Sequence, residues 1–203
     1  MATTPEKLRL REAAMAARRD LPLDVRRGCT SAIEARALDV LGKTGGSIGA
    51  YVAFGDEFNP RGLLEALAAG GRDLALPCTP RWGHPLVFRA WRPGDPLVRG
   101  RMNIPEPGPQ APEVFPQVLV GPPVAFDRRC FRIGYGAGFY DRTIPALRAR
   151  HSVFVLGVAF ACQECPAVPD EPHDVPFDAI ATQDELILPQ AGSPLRERGA
   201  MAS

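Results

Sequence analysis

Hydrophobic residues in this chain occur in short apolar runs separated by amphipathic stretches, a pattern that predicts strands alternating with helices. The first long apolar run, Ser47–Phe54, predicts a buried strand. The stretch that follows starts at an Asn-Pro pair and predicts a helix whose apolar face is formed by Leu63, Leu64 and Leu67. A Gly-Gly pair then ends that helix.

Further apolar runs predict the remaining strands of a sheet. They are Asp73–Pro77, Pro85–Trp91, Gln117–Val120, Ser152–Phe160 and Asp178–Thr182. Other helices are predicted over about Thr3–Asp20, where Thr3 and Glu6 form a capping box, and over Asp24–Leu41 and Phe139–Arg150. Strands that alternate with helices predict an α/β protein with a mainly parallel sheet and helices on both faces. Ligands of such sheets bind beyond the carboxyl ends of the strands.

Length and charge narrow the function classes. The 203 residues fit one domain, which we place at 1–189, followed by a small, polar and flexible tail at 190–203. The net charge of +1 lacks the basic excess typical of nucleic-acid binders, so no nucleic-acid partner is predicted. No apolar run is long enough to cross a bilayer, and the five scattered cysteines predict reduced thiols. We therefore expect a cytoplasmic protein with no membrane partner.

The strongest chemical signal is the glycine-rich segment Arg132–Asp141, which lies between a predicted strand and a predicted helix. Its glycines alternate at Gly134, Gly136 and Gly138, a spacing that matches neither the dinucleotide-binding fingerprint nor the P-loop. A bare glycine-rich turn is more often structural than ligand-binding. Here, however, backbone amides at a helix N-terminus are joined by an arginine, which suits phosphate, and by an aspartate, which suits Mg²⁺. The segment therefore predicts an anion site.

Three further features have both a structural and a functional interpretation. Lys7 and Arg11 project from one helix face, either as a solvated basic stripe or as a pair of cations for a triphosphate. Glu57 follows the first strand, where it either favours the next helix N-terminus or accepts paired hydrogen bonds from the N–C–N edge of a heterocycle. Cys162 and Cys165 have zinc-like spacing but lack the further ligands of a structural zinc site, so no zinc is predicted.

In combination these motifs resemble the 5-formyltetrahydrofolate cyclo-ligase family, also called 5,10-methenyltetrahydrofolate synthetases. The resemblance extends from about Lys7 to about Thr182. It rests on six ordered segments, namely Lys7–Arg11, Tyr51–Glu57, Ile104–Pro107, Ala125–Arg142 with the glycine signature, Gly157–Gln163 and Pro169–Thr182.

The resemblance implies a single three-layer α/β domain and an ATP- and Mg²⁺-dependent ring closure. ATP phosphorylates the formyl oxygen of 5-formyltetrahydrofolate to give an iminium phosphate, N10 attacks the activated carbon, and phosphate leaves. The products are 5,10-methenyltetrahydrofolate, ADP and phosphate. Such phosphoryl transfer needs positioning and charge neutralisation more than a protein nucleophile, which agrees with the cations, glycines and carboxylates in the sequence.

The resemblance also implies roles for individual residues. ATP is expected on Lys7, Arg11, Arg132, Gly134, Tyr135, Gly136, Ala137, Gly138, Phe139 and Tyr140. The folate is expected on Val52, Glu57, Tyr135, Gly136, Ala137, Gly138 and Phe139, with Glu57 on the pterin edge. Arg132 and Tyr140 are expected to act in catalysis, and Asp141 and Asp174 to hold Mg²⁺ directly or through water. The chain is expected to be a monomer or a weak homodimer.

Several residues depart from the family pattern, among them Cys130, Met102, Gln117, Gln183 and the strand end Gly121-Pro122-Pro123. Cys130 replaces a turn glycine, which implies backbone strain if its φ is positive. Met102 replaces an aromatic residue that packs near the folate. The alternative functions are a non-catalytic folate- or nucleotide-binding module on the same fold and an RNA-associated adaptor. All charged residues assigned above to ATP, folate and Mg²⁺ are present, which argues against a non-catalytic module. The net charge of +1 argues against an RNA-associated adaptor.

Overall fold

The computed structural model describes residues 4–189. Its α-helices are α1 (Pro5–Arg19), α2 (Leu23–Gly42), α3 (Arg61–Ala69) and α4 (Phe139–Arg148). Its strands are β1 (Ile48–Gly49), β2 (Leu74–Cys78), β3 (Val87–Ala90), β4 (Leu97–Arg99), β5 (Pro105–Pro107), β6 (Glu113–Val114), β7 (Val118–Gly121), β8 (Ala125–Phe126), β9 (Arg132–Ile133), β10 (Phe154–Val158), β11 (Ala179–Ala181) and β12 (Leu186–Ile187). Short 3₁₀ turns lie at Arg101–Asn103 and Ala161–Gln163.

Eight strands form one central sheet in the order β12-β11-β10-β7-β1-β2-β3-β6. The inner strands from β11 to β2 are parallel, whereas β12, β3 and β6 pair antiparallel at the two edges. The connections into β3 and β12 are too short for the crossover that a parallel neighbour requires. Two separate ribbons, β4–β5 and β8–β9, lie outside this sheet. The mainly parallel α/β sheet is therefore confirmed.

Successive residues of the inner strands point to opposite faces of the sheet, and helices bury each face. On one face, Leu76 and Val120 belong to a core that includes the buried side chains of α2 and α3. On the other face, Leu119 and Val155 share a core with Ile144 of α4. The predicted helices on both faces are thus present, and the sheet with its two helical coverings makes three layers.

α1 packs apart from both of these cores, against the β8–β9 ribbon. Leu10 and Ala14 of this helix contact a cluster that contains Ala125, Phe131 and Ile133. Because the ribbon leads directly into the glycine-rich segment, this packing places the basic face of α1 beside that segment.

The helices follow the predicted ranges closely, although α1 begins later than predicted. Its N-cap is Thr4, whose hydroxyl oxygen accepts a hydrogen bond from the Lys7 N–H at 3.2 Å. The prediction of a cap at Thr3 is therefore wrong, and both Thr3 and the tail 190–203 lie outside the described residues. Within residues 4–189 no helix combines the length and the hydrophobicity that crossing a membrane requires.

The first predicted strand is much shorter in the structure. Of the predicted range Ser47–Phe54, only Ile48–Gly49 form strand pairs, so the prediction is wrong for the second half of the run. Beyond it, residues 51–58 close a loop on themselves, in which the Phe54 N–H donates to Glu57 Oε2 at 2.8 Å. Tyr51 and Phe58 of this segment are buried by loop packing rather than by strand pairing, whereas Phe54 is 52% exposed.

The turn between β8 and β9 contains the residue that was expected to be strained. The Cys130 N–H donates to the Asp127 carbonyl at 2.9 Å, and Cys130 has a φ of 62°. The positive φ on which the implied strain depends is therefore confirmed, and glycine is the residue that adopts this left-handed conformation most easily. The buried Asp127 carboxylate stabilises the turn by accepting from the N–H groups of Arg129, Phe131 and Val168 at 2.9, 3.2 and 2.9 Å.

Candidate active site

A cleft opens where α1, the glycine-rich segment, the start of α4 and the loop at 171–174 meet. Its lining residues are Lys7, Arg11, Arg132, Ile133, Gly134, Gly136, Gly138, Phe139, Tyr140, Asp141, Glu171, His173 and Asp174. Most residues assigned to ATP and Mg²⁺ from the sequence are therefore brought together from distant parts of the chain. Tyr135 belongs to the same loop but is turned toward α1, where its hydroxyl meets Arg18.

The glycine-rich segment forms a cradle for an anion at the N-terminus of α4. Gly136 and Gly138 have φ values of 94° and 62°, which are left-handed conformations that favour glycine. Gly138 is the N-cap of α4, and because glycine has no side chain to cap the helix, the N–H groups of the first turn remain available to a ligand. These N–H groups and the helix dipole favour a bound anion.

Lys7 and Arg11 form the α1 side of the cleft. Lys7 Nζ donates to Asp174 Oδ2 at 2.7 Å, and Arg11 Nε donates to the Gly134 carbonyl at 2.8 Å. The Lys7 side chain is only 15% exposed, so the interpretation as a solvated stripe does not hold for this residue. Both cations are instead fixed beside the anion cradle.

Arg132 lies beneath the cleft rather than on its rim. Its side chain is 6% exposed, and its Nη2 lies 2.7 Å from Asp141 Oδ1. Its Nη1 donates to the Val175 carbonyl, and the guanidinium lies 4.5 Å from the centre of the Phe177 ring. Burial lowers the pKa of Arg132, and the neighbouring Asp141 opposes that shift. The guanidinium thus holds Asp141 in place here, and its contact with phosphate stays a prediction.

Two glycines on neighbouring strands form the floor under Arg132. Gly157 of β10 and Gly121 of β7 are paired in the sheet. A Cβ atom at Gly157 would lie 2.8 Å from the Phe177 ring, and one at Gly121 would lie 2.9 Å from the Tyr140 ring. These two rings meet edge to face, with their centres 5.8 Å apart. The glycines therefore create the space in which both rings support the guanidinium.

We expect Gly157→Ala to lower the free energy of unfolding by about 1–3 kcal/mol, because the added methyl group overpacks this core. Urea denaturation measures the change. Gly28→Ala in the exposed middle of α2 is the matched control, because a Cβ there meets no atom within 4 Å. Alanine at that position is expected to stabilise the chain by about 0.5–1 kcal/mol. A stabilising effect of both substitutions would contradict the tight packing on Phe177.

Two carboxylates of the cleft suit a divalent cation. Asp141 uses Oδ1 to accept from Arg132, and Asp174 uses Oδ2 to accept from Lys7. Among residues 4–189, Asp141 Oδ2 accepts no hydrogen bond and Asp174 Oδ1 has His173 Nε2 only at 3.8 Å. Mg²⁺ binds to one or two carboxylates together with waters and substrate phosphates, which these two oxygens fit. The same described residues hold no group of three or more His, Cys, Asp and Glu side chains that could hold a metal ion.

Glu57 is buried on the far side of the glycine-rich segment, with an exposure of 8%. Its carboxylate accepts from the Phe54 N–H within its own loop rather than at the start of α3, which disfavours the helix N-terminus interpretation. Burial raises the pKa of Glu57 to about 7, and the Phe54 N–H, Arg18 and Tyr135 oppose this rise. Both protonation states of the carboxyl group are therefore populated near neutral pH.

Val52 lies in a different cavity from the residues assigned to ATP. This apolar cavity of about 330 Å³ is lined by Tyr51, Val52, Ala53, Asn59, Pro60, Arg61, Leu64, Glu65, Leu76, Trp91, Pro93, Gly94 and Leu97. Glu57 does not line it, so the structure does not bring the two residues assigned to the folate alone, Val52 and Glu57, into one cavity. The contact of Val52 with folate stays a prediction.

Arg18 is the residue of this region that the sequence motifs did not single out. It is 3% exposed, and its Nη2 donates to the Tyr135 hydroxyl at 3.1 Å. The spacing of the basic residues along α1 could have identified Arg18. Lys7, Arg11 and Arg18 are separated by four and seven residues and therefore share one face of the helix.

Together, the fold and the cleft define a three-layer α/β protein in which a glycine-rich loop and a helix N-terminus line a cleft whose chemistry suits an anion. The sequence pattern of the 5-formyltetrahydrofolate cyclo-ligase family matches residues 3–183. The chain belongs to that family, which confirms the resemblance and the class of enzyme that the motifs predict.

Individual relatives agree with this assignment. The 5-formyltetrahydrofolate cyclo-ligase of Mycolicibacterium smegmatis is 33% identical over 192 residues, which cover 90% of this chain and 96% of the relative. The Escherichia coli protein of the same name is 32% identical over 149 residues, which cover 69% of this chain and 79% of that protein. Among solved structures, the 5,10-methenyltetrahydrofolate synthetase of Aquifex aeolicus has a TM-score of 0.75 at 24% identity, covering 92% of this chain and 94% of that chain. This structural likeness confirms the fold.

Proposed function

We propose that this chain catalyses the ATP- and Mg²⁺-dependent closure of 5-formyltetrahydrofolate to 5,10-methenyltetrahydrofolate, with release of ADP and phosphate. The position of the glycine-rich segment carries the proposal. Its glycines line the cleft that holds the cations and carboxylates, whereas its Tyr135 reaches Arg18 beside the buried Glu57. One loop therefore touches a site suited to a triphosphate and a site suited to a heterocycle, as transfer between two bound substrates requires.

On the nucleotide side, Lys7, Arg11 and the first-turn N–H groups of α4 would bind the phosphates. The two side chains are held by hydrogen bonds of 2.7 and 2.8 Å in the free protein, so little rearrangement is needed to present their charges. Asp141 and Asp174 would hold Mg²⁺, which when bound neutralises phosphate charge.

On the folate side, Glu57 would accept paired hydrogen bonds from the N–C–N edge of the pterin. In the first step the formyl oxygen bonds to the terminal phosphorus of ATP while the bond to ADP breaks. In the second step the folate's own bridging amine attacks the formyl carbon and loses its proton, and the bond from that carbon to the phosphate oxygen breaks. The chain contributes alignment and charge neutralisation to both steps, and no protein nucleophile is required.

Arg132 and Tyr140 would support the chemistry as fixed donors rather than as bases. Burial raises the pKa of Tyr140, so its phenol stays protonated and can only donate or accept a hydrogen bond. Arg132 carries its charge directly under the cleft, where it offsets the negative charge of Asp141.

An absorbance assay of the purified protein tests the proposed function. It follows the long-wavelength band of the conjugated methenyl product in the presence of 5-formyltetrahydrofolate, Mg²⁺ and ATP, with ATP or Mg²⁺ omitted in the controls. Growth of the band only in the complete mixture, with ADP released in step, is the expected result. A flat trace from folded protein that still binds folate or ATP would contradict catalysis and support a non-catalytic binding module.

We also propose that the reaction takes place in the cytoplasm and that the chain is a monomer or a weak homodimer. The five free cysteines support a reducing compartment. Sedimentation at several protein concentrations tests the oligomeric state, and a dimer that persists on dilution would contradict it.

Replacing Lys7 by methionine is expected to raise KM for ATP about tenfold or more, because one charge-assisted contact to a phosphate is lost. KM for the folate should stay within about twofold. Arg9→Met removes an exposed charge from the same helix and is the matched control. An equal rise in both variants would show that only the general charge of α1 matters, and no rise in either would remove Lys7 from the phosphate site.

A further inference from the structure

Arg18 is a buried guanidinium to which the proposed reaction gives no role. It lies in the last turn of α1 and is 3% exposed. Its Nη2 donates to the Tyr135 hydroxyl at 3.1 Å, whereas its Nε is buried without a hydrogen-bond partner in the described part of the chain. A buried charge with an unfilled donor is unfavourable for folding. Stability alone therefore does not account for an arginine at this position.

The contacts of Arg18 connect the end of α1 with two parts of the folate side. Tyr135 belongs to the glycine-rich segment, and its ring meets that of Phe54, from the loop that carries Glu57, edge to face with the ring centres 6.1 Å apart. The charge of Arg18 lowers the pKa of Glu57. The Arg18 carbonyl accepts from Arg26 Nη2, and Arg26 Nη1 donates to the Asp56 carbonyl at 3.0 Å. The end of α1 is thus fastened both to the glycine-rich segment and to the loop that carries Glu57.

We propose that Arg18 is a positioning residue of the folate site, whose bond to the Tyr135 hydroxyl, together with the Arg26 bonds to the Arg18 and Asp56 carbonyls, keeps the glycine-rich segment and the loop that carries Glu57 at a fixed separation. This inference rests on the proposed function, because it assigns Glu57 to the heterocycle. Arg18 from α1 and Tyr135 from the glycine-rich segment lower the pKa of Glu57, and the charge of Glu57 in turn raises the pKa values of Tyr51, Tyr135 and Tyr140. Arg18 is the only cation of these four, so it favours the charged carboxylate.

Arg18→Met tests the proposal, because methionine keeps much of the length of the side chain and removes its charge. The main readout is the Kd of 5-formyltetrahydrofolate for the full chain without ATP, at a pH well below and a pH well above the Glu57 pKa of about 7. Loss of an opposite charge raises a carboxyl pKa by about 1 or more, so at the lower pH the ionised fraction of Glu57 is about tenfold smaller in the variant. Because the ionised carboxylate accepts the hydrogen bonds of the pterin edge, we expect folate binding about tenfold weaker than in wild type at that pH. At the higher pH, where Glu57 is ionised in both proteins, the difference should shrink.

Measurements of Tm and of KM for ATP distinguish a positioning role of Arg18 from a merely structural one. KM for ATP should stay within about twofold. At the lower pH, where Glu57 is protonated and no carboxylate is left unpaired, Tm should not fall, because the buried charge of Arg18 is itself incompletely paired. Arg19→Met, which removes an exposed charge one residue along the same helix, should leave the folate Kd unchanged at both pH values. Arg18→Lys restores the charge and should restore the pH profile of folate binding.

Three results would overturn the proposal. The first is a pH profile of folate binding that Arg18→Met does not shift, and the second is an equal shift in Arg19→Met. The third is a joint loss of stability, ATP use and folate binding, which would make Arg18 a structural residue. Wild-type protein that does not bind the folate at all would overturn the proposed function, and this inference with it.

Discussion

Replacing Arg132 by alanine is expected to lower the free energy of unfolding by about 3–5 kcal/mol and to abolish ring closure. The Arg132 side chain is 6% exposed, and that of its partner Asp141, at 2.7 Å, is 18% exposed. The substitution leaves this carboxylate unpaired, removes a donor from the Val175 carbonyl and empties the space over the Phe177 ring. A loss of this size is a large part of the 5–15 kcal/mol that typically stabilises a domain. Urea denaturation of both proteins measures it.

Two companion variants distinguish the two roles considered for Arg132, which are to hold Asp141 in place and to bind phosphate. Arg132→Lys keeps the charge but can make fewer of the hydrogen bonds, so we expect it to recover part of the stability. Asp141→Asn keeps the shape of the side chain and should raise the Mg²⁺ concentration needed for half-maximal rate. A folded Arg132→Ala protein with stability within about 1 kcal/mol of wild type and weak ATP binding would contradict the structural role and favour direct contact with phosphate.

The sheet could be predicted from sequence because its inner strands are buried on both faces. Val118–Gly121 and Phe154–Val158 are apolar without interruption, as expected of parallel strands covered by helices on each side. The glycine-rich segment could be predicted for a local reason as well, since Gly136 and Gly138 adopt positive φ values. By contrast, β6, β8, β9 and β12 contain only two residues each, which is too short for periodicity to reveal.

The parts of the site that could not be predicted depend on partners far away in the sequence. Nothing local to Arg132 shows that it is buried, because its surroundings come from Val175, Phe177 and the glycine pair Gly121 and Gly157. The environment of Glu57 likewise requires α1 and the glycine-rich segment to meet beside its loop. The sequence indicates which residues carry the chemistry, whereas their burial and pairing follow from tertiary packing.

Glu57→Gln is expected to raise KM for 5-formyltetrahydrofolate about ten- to a hundredfold and to leave KM for ATP within about twofold. A carboxylate can accept two hydrogen bonds from an N–C–N edge, whereas glutamine offers one acceptor and turns an N–H toward a donor. Because the pKa of Glu57 is raised to about 7, wild-type kcat/KM for the folate should rise as pH increases through about 7. The variant should lack that rise. Steady-state kinetics across pH measures both effects, with the exposed neighbour Asp56→Asn as control.

The same substitution is expected to stabilise the folded chain above neutral pH. Glu57 has an ordinary pKa of 4.5 and a folded pKa of about 7, so between these values the native state binds more protons than the unfolded state. The wild-type free energy of unfolding therefore falls as pH rises through this interval, by up to about 3 kcal/mol. Glutamine does not titrate, so the advantage of Glu57→Gln should be full above pH 7 and should vanish below pH 4.5. Urea denaturation at both ends of this pH range measures the difference in the free energy of unfolding.

Greater stability of Glu57→Gln together with weaker folate binding would show that the buried carboxylate is retained for its substrate. A variant that is less stable than wild type at every pH would contradict burial as the cause of the raised pKa.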